Sequence, residues 1–120
     1  MIILNGRLIS KKRNYRRGRG GGLYLSKTYK DWQENALWQL KQYKERWTGP
    51  VHIEYQFELK GKIDFDIDNA ICSANDLLED AGIISNDKNI VSSTAVKHHG
   101  FKDFRTLVKI KSLKKGVKKR

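Results

Sequence analysis

Cysteine and proline occur once each in the 120 residues, as Cys72 and Pro50. A single thiol excludes a disulfide framework, a CxxC redox pair and a cysteine-rich zinc module. No apolar run approaches the roughly 18 residues of a membrane span, and charge begins at Arg7. Neither a transmembrane segment nor a secretory signal is expected, no membrane partner is implied, and the expected compartment is the cytoplasm. Acids are missing from both flanks. Arg7 to Arg19 carries seven Lys or Arg and no acid, and Lys109 to Arg120 carries seven more, again with no acid.

What is present suffices for a folded domain. Apolar residues at 38% and aromatics at 10% argue against wholesale disorder. A chain of this size buries about two-thirds of its unfolded surface, so it needs neither disulfide nor structural metal to fold. The net charge is +12, yet residues 64–87 reverse it, with Asp64, Asp66, Asp68, Asp76, Glu79, Asp80 and Asp87 and no Lys or Arg. A basic body suits a polyanion, because neutralising phosphates releases condensed counterions. The acidic island needs its own reason, since carboxylates facing DNA repel it unless a cation lies between.

Periodicity gives the elements. Ile2 to Ile9 reads as a strand with a turn or kink, and Lys11 to Gly22 as a flexible basic loop whose glycines allow close backbone approach and whose arginines grip phosphate. A helix is expected from a Ser26 cap to the Thr48-Gly49-Pro50 break, with Tyr29, Trp32, Ala36, Leu37, Leu40, Tyr43 and Trp47 as its buried stripe. Val51, Ile53, Tyr55, Phe57 and Leu59 alternate with polar residues, as in a half-buried strand. A second helix is expected from about Asp68 to Gly82, burying Ile67, Ile71, Ala74, Leu78 and Ala81. Strands from Ile90 to about Lys97 and from about Arg105 to Ile110 follow, with His98, His99 and Gly100 in the turn between them. The order predicts an α+β fold, two helices on one face of a small mixed or antiparallel sheet. Residues 1–112 read as a single domain, and 113–120 as a disordered basic tail.

The chemistry concentrates in Asp64-Phe65-Asp66-Ile67-Asp68-Asn69 and in Asp87, 19 residues beyond Asp68. An extended approach to the helix would point carboxylates 64, 66 and 68 to one face, because strand side chains repeat every two residues. Clustered oxygen ligands suit a hard divalent cation such as Mg²⁺. An EF-hand fails, because Asn69 falls on its turn glycine and Asn75 on its bidentate glutamate. Helix capping explains one of these acids but not a convergence of several. Cys72 reads as an unreactive helix position, and the two histidines as turn residues.

The run Asp66-Ile67-Asp68-Asn69, a helix containing Asp76-Leu77-Leu78, then Ala81-Gly82-Ile83 and Asn86-Asp87 followed by Ile90-Val91, resembles the RusA family of Holliday junction resolvases. Upstream, Ser10 to Arg17 and Tyr29 to Trp32 look like the family's basic N-terminal loop and first helix. The resemblance implies a homodimeric endonuclease that cuts four-way DNA junctions with Mg²⁺ or Mn²⁺. It places the essential aspartates at Asp66, Asp68 and Asp87, with Asn69 as the Asn following the second of them. Cys72 stands where the family pattern has a lysine, which leaves Lys62, Lys88 or a partner's lysine as alternative cations. The charge footprint assigns phosphate contact to Lys11, Lys12, Arg13, Arg16, Arg17, Arg19, Lys62, Lys88, Lys114 and Lys115. A non-catalytic nucleic-acid module fits the composition equally well, but it has no need of the acidic island. A nuclease of the same fold acting on other branched DNA or RNA is a third reading.

Overall fold

A computed structural model describes residues 1–10 and 14–113 of the chain. It is an α+β fold. Strands Ile2–Asn5 (β1), Val51–Lys60 (β4), Ile90–Phe101 (β5) and Arg105–Ser112 (β6) form a mixed sheet in the order β1-β6-β4-β5. Tyr15–Arg17 (β2) and Leu23–Leu25 (β3) form a separate antiparallel pair, and the helices are Lys27–Leu40 (α1) and Ile67–Asp80 (α2). Within the mixed sheet only β4 and β5 pair in parallel. Parallel neighbours need a crossover, and here α2 supplies it.

The alternation along β4 sets the core. Val51, Ile53, Tyr55, Phe57 and Leu59 are all buried against Ala36 and Leu40 of α1 and Ala70, Ala74, Leu77 and Leu78 of α2. Each such large side chain contributes about 1.5–3 kcal/mol on leaving water. The opposite face of β4 is polar, and its buried Glu58 is gripped by the Arg105 guanidinium at 2.8 and 3.2 Å.

Several boundaries depart from the sequence reading. The first helix is capped by Ser26, whose Oγ accepts the Tyr29 N–H at 3.1 Å, but it stops at Leu40 instead of running to the Gly-Pro break. The last stripe residues are recruited elsewhere: the Ile3 N–H donates to the Tyr43 hydroxyl, and Trp47 bridges Ile84. The described part of the expected flexible basic loop holds β2 and the turn that leads into β3. The buried edge of α2 is rotated toward Ala70, Ser73 and Leu77, leaving Ile67, Ile71 and Ala81 half-buried. His98, His99 and Gly100 are strand, not turn, because β4 continues to Lys60 and keeps β5 paired as far as Phe101. Gly82 follows α2 with φ +75°, the left-handed stop its position predicts.

Candidate functional site

The crossover fixes where the acids go. Because α2 returns antiparallel to β4 and β5, its N-terminus lies at the ends of those strands and its C-terminus at their beginnings. Asp66 caps α2, its Oδ1 accepting the Asp68 N–H at 2.9 Å, so both motif aspartates occupy the first of these ends. Both are exposed.

The approach to Asp66 belongs to no strand, although Asp66 itself is extended, and Asp64 is drawn toward β5. Asp64 Oδ1 accepts the Phe65 N–H and the Lys97 ammonium, each at 2.8 Å, and His99 Nε2 lies 3.4 Å away. Lys97 also donates to the Phe65 carbonyl at 3.0 Å, while the Phe65 ring packs edge-on against Phe57. The Lys97 hydrogen bond holds the Asp64 carboxyl below the usual carboxylate range. Asp64 is therefore occupied with β5 instead of converging with Asp66 and Asp68. Sequence reasoning missed Lys97. The signal for it was its place in alternation with Ala95 on the helix-facing side of β5, where a charge needs a partner.

Spacing places Asp68, Cys72, Asp76 and Glu79 along one face of α2. Cys72 is exposed there, beside the buried Tyr55, whose hydroxyl donates to Asn75 Oδ1 and whose pKa is raised by burial and then by Cys72. Asp87 reaches the far end of this face from the turn Asp87–Asn89, which Asn86 caps by accepting the Lys88 N–H at 2.8 Å. Carboxylate oxygens of Asp76, Glu79 and Asp87 lie within 4.8 Å of one another. Asp76 and Glu79 were not singled out from sequence, although their shared face with Asp68 was legible. Eight helical residues separate Asp68 from Asp76, a rise of about 12 Å. The structure thus brings Asp87 to Asp76 and Glu79, and Asp66 to Asp68, at two stations along one helix.

Both stations offer only carboxylate oxygens, a donor set that fits Mg²⁺ or Mn²⁺ better than a soft metal. A cleft of about 260 Å³ opens beside the first station, lined by Arg7, Ser10, Asn14, Phe65, Asp66 and Asn69. Of the basic residues singled out from sequence, Arg16 and Arg17 lie on β2, Arg19 at the hairpin tip, Lys62 in the turn after β4 and Lys88 beside Asp87. All five are exposed. Lys11, Lys12, Arg13, Lys114 and Lys115 lie outside the described residues.

The family model described as endodeoxyribonuclease RusA matches residues 5–111. A crossover junction endodeoxyribonuclease RusA from Aquifex aeolicus (strain VF5) is 30% identical over 95 residues, spanning 74% of this chain and 72% of that protein. With the family model matching almost the whole chain and a curated relative covered over more than two-thirds of its length, the chain belongs to the RusA family of endodeoxyribonucleases.

Proposed function

We propose that this protein is a Mg²⁺-dependent nuclease that resolves four-way DNA junctions by paired incisions in recombination and repair, working as a homodimer in the cytoplasm. The observation that carries the reading is the cleft that joins Asp66 and Asn69 to Arg7 and to Asn14 at the base of the basic hairpin. It sets metal-binding oxygens beside a surface suited to phosphate. Among the described residues, no helix is long and apolar enough to cross a membrane. The acidic island, for which a purely phosphate-binding module has no use, argues against the non-catalytic alternative.

Asp66, Asp68 and Asp87 are the residues we assign to the ion. When bound, Mg²⁺ supplies a polarised phosphate and an activated water, and it screens the acids from DNA. The chain's own contribution is to hold these carboxylates still. Asp66 is fixed by capping α2, Asp68 by the first helical turn, and Asp87 by a capped turn. Flanking arginines and lysines hold the duplex arms by their phosphates, which positions the strand without reading its sequence.

One ion cannot be held by two stations about 12 Å apart along a helix. A two-fold dimer offers a solution, in which Asp87 of one copy meets Asp66 and Asp68 of the other. The edge strand β5, with Val91 and Val96 64% and 50% exposed, is a surface on which such copies could pair. A second arrangement is favoured by the clustering itself, in which Asp76, Glu79 and Asp87 of one chain hold the ion.

Two predictions arise here. Lys97 touches Asp64 and the Phe65 carbonyl, which precede Asp66 in the chain but are not assigned ligands. Lys97→Met should therefore loosen the segment leading into Asp66 and raise the Mg²⁺ concentration for half-maximal cleavage by less than the about tenfold that follows loss of a direct partner of a metal ligand. A metal titration checks it, and an unchanged midpoint would show the segment to be indifferent. Neutralising Arg13, Arg16, Arg17, Lys114 and Lys115 together should weaken binding to every DNA. It should also flatten the plot of log affinity against log salt, by about one unit of slope for each phosphate that is no longer neutralised. An unchanged slope would place the DNA elsewhere.

A further inference from the structure

The β2–β3 hairpin carries more than positive charge. Its three β2 residues are all exposed, and on β3 Leu23 is 65% and Tyr24 51% exposed. Register pairs Arg17 with Leu23 and Arg16 with Tyr24, so each face of the ribbon mixes a guanidinium with an apolar side chain. A two-stranded ribbon this short is marginal alone, and here it is fastened at both ends. At the base, Ser26 donates its N–H to the Asn14 carbonyl at 2.7 Å and its hydroxyl to Asn14 Oδ1 at 3.0 Å. Asn14 Nδ2 in turn reaches the Ser10 carbonyl. Since Ser26 also caps α1, the ribbon is anchored to the helix. At the tip, the Gly18 N–H bonds the Gly22 carbonyl at 2.7 Å, and Gly20 and Gly21 take the positive φ values that close the turn.

Charge identifies the occupant. Arg16, Arg17 and Arg19 stand in a stretch with no acid before Asp31, a local composition that suits a polyanion. Phosphates satisfy the arginines but leave Leu23 in water. The apolar surface that a nucleic acid offers lies between its bases, and inserting a side chain there requires unstacking, which is cheapest where stacking is already interrupted. A linear duplex has no such place, whereas the branch point of a junction does.

We infer that the arm is a branch-point wedge: Leu23 enters the unstacked centre of the junction while Arg17 on the same face of the ribbon and Arg19 at its tip hold the adjoining phosphates. The inference rests on the proposed activity and assigns junction preference to the apolar Leu23 rather than to the basic residues.

The test is equilibrium binding of the full chain, in EDTA, to a four-way junction and to a linear duplex of the same arm sequence. Both carry 2-aminopurine, at the central step of the junction and at the matching step of the duplex. Wild type should prefer the junction and raise its fluorescence by unstacking the base. Leu23→Ser should lower junction affinity about tenfold, as expected for one large apolar side chain returned to water. It should also abolish the fluorescence rise while leaving duplex affinity within about twofold. Leu23→Phe should retain both, which separates lost wedging from a damaged hairpin. Equal losses on junction and duplex, or an undiminished fluorescence rise in Leu23→Ser, would overturn the wedge. So would tighter binding of wild type to anionic lipid vesicles than to the junction. A wild-type protein with no preference for the junction would instead refute the functional reading on which the wedge rests.

Discussion

Asp68→Asn lowers the rate of junction cleavage by at least about 100-fold while affinity for the junction in EDTA is kept or rises. Loss of an outer partner of a metal ligand already costs about 10–100-fold, so loss of a ligating charge sets the floor at the upper end of that range. Binding follows the opposite sign, because one fewer carboxylate faces the phosphates when no ion is present. Asp68 is exposed and in the first turn of α2, and Asp66 rather than Asp68 makes the cap, so the fold should tolerate the change. Asp66→Asn should lose cleavage as severely. Asparagine caps a helix about as well as aspartate, so that variant too should fold. Single-turnover cleavage and gel-shift affinity on both variants check the pair. Near wild-type cleavage by both would reject the assigned site.

Equal amounts of Asp68→Asn and Asp87→Asn, each inactive alone, should regain nicking activity when their subunits are exchanged. If one site takes Asp68 from one copy and Asp87 from the other, a mixed dimer holds one site with both lesions and one with neither. Half of the dimers are mixed, and each has one intact site of two, so roughly a quarter of wild-type sites return. If each site lies within one chain, every site in the mixture carries a lesion and nothing returns. In that case Glu79→Gln becomes the informative variant, since Glu79 belongs to the cluster around Asp87 and not to the motif.

The parts legible in the sequence were those governed by local rules. The alternation of β4, the Ser26 cap and the Gly82 stop are each decided by a few adjacent residues, and each stands in the structure. The end of α1 was not legible in that way. Tyr43 and Trp47 continue the helical spacing, but they are claimed by partners about 40 residues away, at Ile3 and Ile84. The length of β5 depends likewise on β4 continuing to Lys60. At the site, the motif led to Asp66, Asp68 and Asp87 through family likeness. Their separation along α2 follows from the parallel pairing of β4 and β5, which spacing alone does not reveal. Lys97 went unnoticed because its partner Asp64 is 33 residues distant.

The most direct measurement is cleavage of a labelled four-way junction beside a linear duplex and a flap, each with Mg²⁺ and with EDTA. Paired incisions confined to the junction, abolished by EDTA and by Asp68→Asn, are the expected result. Incision that persists in EDTA, or that proceeds equally on the linear duplex, would contradict the account.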